Sequence, residues 1–192
     1  MIRRSLSLLA SFALLSPLAF AQTSTWVPDK GHSEVDFSIL HMSLTKVHGK
    51  FVNVGGSIVQ SDGDIAKSTV NVTIDVSTVD TGVAARDNDL KGPHFFDVSK
   101  FPTATFVSTS VAKSGSGLTI QGNLTLHGVT KPVTLQVEAP TGPVNGMDHK
   151  PHMGFTATTT LKRTDFGIAP NYPAAAVGDD VTLTIDLDAA KQ

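Results

Sequence analysis

The side chains best suited to chemistry at neutral pH are seven histidines: His32, His41, His48, His94, His127, His149 and His152. No pair has the i, i+4 helical spacing, and a site could gather three of them across strands. The tightest cluster, His149-Lys150-Pro151-His152-Met153, sits in a stretch where Pro and Gly imply a loop, and it reads as solvated. A zinc site would need three or four ligands with a supporting shell. Asp179-Asp180 follow Gly178 at a strand entry, where turn chemistry accounts for them better than general acid catalysis. Glutamate occurs only at Glu34 and Glu138, and the patterns HExxH, GxSxG, GxxxxGKS/T and GxGxxG are absent. With no cysteine, thiolate metal centres, a cysteine nucleophile and disulfides are excluded. The expectation is a protein without catalytic residues, resident metal or cofactor.

Charge narrows the partners. Fifteen Lys and Arg against 17 Asp and Glu give a net charge of -2, and only four arginines occur. No broad basic face for nucleic acid is expected. Arg3-Arg4 precede an apolar run from Leu6 to Phe20 that ends in Ala19-Phe20-Ala21, a small-x-small pattern suited to cleavage before Gln22. Ser11, Ser16 and Pro17 interrupt the run, which is too short for a membrane span. Residues 1–21 therefore read as a Sec-type signal peptide and residues 22–192 as one exported domain, periplasmic after cleavage, with no integral membrane span.

Elements that could position a site come from alternation. Val35, Phe37 and Ile39 share one parity, with Glu34, Asp36 and Ser38 on the other, the pattern of a half-buried strand. The same period recurs at 70–76, 118–126, 133–137 and 181–187, with further candidates at 49–54, 57–60, 104–111 and 155–161. About nine strands result, separated by turn residues such as Asp62-Gly63-Asp64, Ser114 to Gly117 and Pro140 to Gly146. Val83 to Leu90 reads instead as a short helix. An all-β domain follows, antiparallel, as a barrel or a sandwich. Period alone does not separate them.

An ordered set of segments carries a resemblance. Trp26-Val27-Pro28-Asp29, His32-Ser33 and Phe37 to His41 open it. Ser77-Thr78-Val79-Asp80-Thr81-Gly82, Arg86-Asp87, Phe95-Phe96-Asp97-Val98-Ser99-Lys100-Phe101-Pro102 and Gly122 to Leu135 continue it. Arg163-Thr164-Asp165-Phe166-Gly167-Ile168 and Val177-Gly178-Asp179-Asp180-Val181 close it. Together they resemble the YceI family of bacterial periplasmic proteins along nearly the whole of residues 22–192. The resemblance implies a lipocalin-like extended antiparallel β-barrel of about eight strands. It also implies an interior tunnel for a polyisoprenoid or similar long amphiphilic lipid, and a homodimer. The stretch from Gly142 to Met153 has no matching family motif.

A hydrocarbon ligand asks for a deep, dry, apolar lining. The inward-parity candidates are Phe37, Ile39, Phe51, Phe106, Leu124, Leu126, Phe155 and Leu161, with Phe95 and Phe96 beside the helix closing one end. Each would serve equally as ordinary core. A phosphorylated head group would want a cation: Arg86 and Arg163 are the arginines beyond the leader, with His41 and His127 as weaker donors. Arg86 beside Asp87, and Arg163 beside Asp165, equally suit a role in fixing turns. The expected function is a periplasmic carrier that holds a long-chain isoprenoid lipid. The alternative is an accessory to quinone-linked redox, or an enzyme, acting on a tunnel-bound quinone-like lipid.

Overall fold

The alternation builds a wall. The computed structural model describes residues 22–192; the expected signal peptide and its cleavage point lie outside the described residues. Eleven strands are present among them: β1 (Thr23–Pro28), β2 (Glu34–His41), β3 (Thr45–Phe51), β4 (Val54–Ser61), β5 (Thr69–Asp75), β6 (Thr103–Ser114), β7 (Gly117–Leu126), β8 (Val129–Val137), β9 (Thr141–Asn145), β10 (Pro151–Lys162) and β11 (Val177–Lys191). One α-helix, α1 (Ala84–Lys91), lies between β5 and β6. It is close to the expected helix.

Neighbours run β3-β2-β11-β1-β4-β5-β6-β7-β8-β10-β9, and β10 also pairs with β11. That last pairing closes a ring of eight antiparallel strands and leaves β2, β3 and β9 outside it. The fold is a barrel, not a sandwich. Its wall has two storeys, because β11 pairs with β1 through residues 189–191 and with β2 through residues 177–186. β4 and β3 follow the same division, facing β1 and β2 respectively. At fifteen residues, β11 rises about 50 Å, at ~3.3 Å per residue. It spans both storeys.

Among the described residues β3 pairs with no strand other than β2, and the segment 76–102 meets its free edge. Lys50 and Asp80 form an isolated bridge, the Val52 N–H donates to the Thr78 hydroxyl at 3.0 Å, and the Val76 N–H donates to the Pro102 carbonyl at 2.9 Å. α1 is held at Thr81, whose N–H donates to the Asp87 carboxylate at 2.9 Å. Arg86 donates from Nε to the Thr81 hydroxyl at 2.7 Å and from Nη2 to its carbonyl at 3.0 Å. Asp97, buried and left-handed at φ 44°, accepts from Ser99 and Lys100 and sets the turn that presents Phe95 and Phe96.

Two expectations are corrected. The run 49–54 is not one strand: it breaks between Phe51 and Val54, where Asn53 adopts φ 60° and the chain passes from the lower storey to the upper. Residues 140–146, read as a turn, contain β9, whose five residues are all exposed and so show no alternation. β1 was also missed, since Thr23–Pro28 is too short for its pattern to stand out.

Inside, two phenylalanines lie over glycines. Phe37 faces its cross-strand partner Gly49, and Phe106 lies against Gly122 two pairs along from its own partner Leu124. A Cβ added at either glycine would overlap the ring. The missing side chain therefore sets the ring's position. Gly49→Val is expected to lower the urea midpoint by the equivalent of about 1–3 kcal/mol through overpacking, whereas Gly55→Val, where a Cβ meets nothing within 4 Å, should not lower it.

Candidate functional site

Side chains on the inner faces do not fill the ring. Two cavities remain, each of about 140 Å³. An apolar void near ~150 Å³ stays dry and takes up a benzene-sized guest. The upper cavity lies among β4 to β8, β10 and β11, with Phe106, Leu124 and Phe155 in its wall. The lower one is walled by Phe37, Ile39, Phe51, Phe95, Phe96, Leu124, Leu126 and Leu161. Val35, Ile74, Leu124 and Leu183 belong to both walls, so the cavities meet end to end at a waist. All ten apolar candidates thus line one chamber or both.

Rigidity of the lower chamber comes from stacked rings: Phe51 lies 5.5 Å from Phe37 and 5.4 Å, edge-on, from Phe96. The sequence reading left out Val54, Ile58, Val72, Val133 and Leu135 of the upper chamber. Most share an inward parity with residues already singled out, and strand parity was the available signal. Gln60 was missed for a different reason, being polar. It has the parity of Val54 and Ile58, lines the upper chamber, and its Oε1 is buried without a hydrogen-bond partner.

The cations behave otherwise than a head-group site requires. Arg163 is 4% exposed and lines the lower chamber, but its guanidinium donates to five backbone carbonyls. Nε reaches Gly178 at 3.0 Å, Nη1 reaches Ile168 at 3.0 Å and Ala169, and Nη2 reaches Tyr172 at 2.7 Å and Val177 at 2.9 Å. Five N–H groups meet five acceptors. None is left for a ligand, so Arg163 is corrected from head-group candidate to clamp of the β10–β11 connection. Arg86 lines neither chamber and is engaged at Thr81. His127 bonds through Nδ1 to the Phe166 carbonyl at 3.1 Å and packs edge-on against Phe101 at 4.6 Å. His41 is exposed at the end of β2. The four candidates do not converge.

Comparison with known proteins agrees with this architecture. Residues 26–189 match the family model of the YceI-like domain. A UPF0312 protein of Yersinia pestis is 37% identical over 188 residues, 97% of each chain, and Protein YceI of Salmonella newport is 39% identical over 165 residues, 84% of this chain and 83% of its own. The chain belongs to the YceI family. Among solved structures, a Campylobacter jejuni YceI protein superimposes with TM-score 0.70 at 30% identity, covering 80% of this chain and 90% of its own. Two more distant structures share the fold. Burkholderia cenocepacia BcnA has TM-score 0.75 at 23% identity, covering 84% of this chain and 98% of its own. A polyisoprenoid binding domain from Saccharophagus degradans has TM-score 0.61 at 14% identity, covering 89% and 100%.

In this YceI-family chain the stretch 142–153 shapes a groove of mixed polar and apolar lining, about 380 Å³, beside the upper chamber, with which it shares Phe155 and Leu187. His152 is not in a solvated loop as expected but on β10. Its Nδ1 lies 2.6 Å from Asp188 and its Nε2 3.0 Å from Asp148. Those bonds, Asp188 first, raise the histidine pKa above its ordinary 6.5, and the Lys150 N–H followed by His152 holds the Asp148 carboxyl below the usual carboxylate range. Both ring nitrogens are thus engaged by carboxylates. Among the described residues no three acidic or histidine side chains gather into a metal site.

Two outcomes follow from these contacts. Arg163→Met should lower stability by about 3 kcal/mol or more, read from the urea midpoint, because it strands buried carbonyls at once. For His152, a raised folded pKa means that the protonated ring stabilises the fold fully below 6.5 and that this contribution is lost as pH climbs through the raised value. The melting temperature should fall across that interval, and His152→Gln should flatten the fall.

Proposed function

We propose that this protein is a periplasmic carrier or reservoir for a long-chain isoprenoid lipid, held along the two chambers and exported by its 21-residue leader. The observation that carries the reading is the pair of apolar cavities meeting end to end. Their walls offer hydrocarbon almost throughout, and Arg163, the one charged lining side chain among the described residues, has no donor to spare. At ~0.8 kcal/mol per buried methylene-sized group, one isoprene unit gains on the order of 4 kcal/mol. A long tail would pass the ~-18 to -21 kcal/mol limit of non-covalent affinity if this simply summed, so ordering costs offset part of it. Supporting the choice of ligand is the shared fold of the Saccharophagus degradans polyisoprenoid binding domain.

The polar end of the ligand is neutral in this reading. Gln60 Oε1 is the buried acceptor without a partner in the upper chamber, and a hydroxyl or amide N–H would satisfy it. A phosphate would bring charge to a place without a free cation. Among the described residues no catalytic constellation faces either chamber, which supports binding over turnover.

Solvent extraction of the protein purified from the exported fraction, followed by mass spectrometry, tests the reading. An uncharged isoprenoid is expected in about one copy per chain. A stoichiometric flavin or an empty extract would overturn it. Phe106→Asp should abolish retention by charging the upper chamber, and Gln60→Leu should release polar-headed tails while keeping plain hydrocarbons.

A further inference from the structure

The β2–β3 hairpin carries an exposed apolar tip. Leu40 is 41% exposed, Met42 54% and Leu44 81%, three large hydrophobic side chains within five residues. The turn that places them is costly. Met42 and Ser43 both adopt left-handed backbone, φ 53° and 55°, and the Leu44 N–H closes the turn onto the His41 carbonyl at 3.0 Å. Two-residue turns with φ positive at both central positions favour Asn-Gly, because other side chains are strained there. Here the strained positions carry methionine and serine. Backbone strain that local sequence would easily relieve points to a use for the side chain it presents.

The tip stands at the rim of the lower chamber. His41 pairs with Val177, the Met42 N–H donates to the Ala176 carbonyl at 2.9 Å, and Ile39 and Val177, both half-buried, line the chamber. Across the same rim Phe95 lies 5.4 Å from the exposed ring of Tyr172. From His41 to Lys50 the arm has two histidines, two lysines and no acidic residue; Lys50 pairs with Glu34 of β2 at 2.9 Å, and Lys46, nearer the tip, makes no ion pair among the described residues. An apolar tip with cations behind it is the composition of a segment that enters a bilayer surface bearing anionic lipid.

We infer that the β2–β3 tip inserts into a lipid surface and sets the lower chamber's rim against it. The inference rests on the lipid-carrier reading for its purpose but not for its test. Since the chain has no cysteine, a polarity-sensitive dye can be attached at Met42→Cys alone. A matching label at Met147→Cys, fully exposed on the hairpin at the opposite end of β10, serves as reference. Vesicles of phosphatidylcholine with phosphatidylglycerol should blue-shift the dye at 42 and leave that at 147 unmoved, with a smaller shift on phosphatidylcholine alone. Leu40→Ser with Leu44→Ser should weaken vesicle binding about tenfold or more and leave the extracted lipid unchanged. No shift at 42, an equal shift at both positions, or a shift that appears with protein concentration in the absence of vesicles would overturn the inference, the last by assigning the tip to a second copy of the chain. An empty extract together with a shift at 42 would remove the carrier reading and leave the docking surface standing.

Discussion

Closure of the sheet by β10 and β11 is the constraint from which the rest follows. Eleven consecutive residue pairs, from His152 with Ala190 to Lys162 with Asp180, join the last long strands and return the wall to β1 and β2. Once the ring is shut, every second side chain must point to a common axis. Eight strands give a perimeter that the available Phe, Leu, Ile and Val do not fill. A sandwich of the same strands would bring two faces together and lose the void. The hollow is therefore a property of closure, and the apolar lining is its consequence.

Because the interior is apolar, the polar groups that fix the barrel spend their hydrogen bonds on the frame. Arg163 is the clearest case: a buried guanidinium ties the long β10–β11 connection through backbone carbonyls, so the ladder that closes the ring is held at its turn. Asp179 accepts from Thr164, and Lys162 pairs with Asp180, securing the same corner from outside. At the other end of the ladder His152 bridges Asp188 and Asp148. The charged residues that sequence inspection offers to a ligand are in this chain mostly struts of the frame.

Strand parity made much of this legible. Phe37, Phe106, Leu124 and Leu161 could be placed on an inner face from their spacing alone, and the short helix from its loss of that spacing. What escaped had no periodic trace. β9 is exposed on both faces, and the break at Asn53 is a matter of backbone conformation. The engagement of Arg163 depends on carbonyls from residues 168–178, a relation between distant loop positions that no local pattern records. Gln60 escaped because a polar residue at an inward position looks like an error of phase.

The waist between the chambers has a further consequence. Val35, Ile74, Leu124 and Leu183 stand on four different strands and are shared by both rooms. An occupant longer than one room would have to pass between these four when it arrives and again when it leaves. For a guest of the proposed kind they would act as a turnstile, lengthening residence without tightening the grip, and a short tail that stops before them would come and go on a different clock.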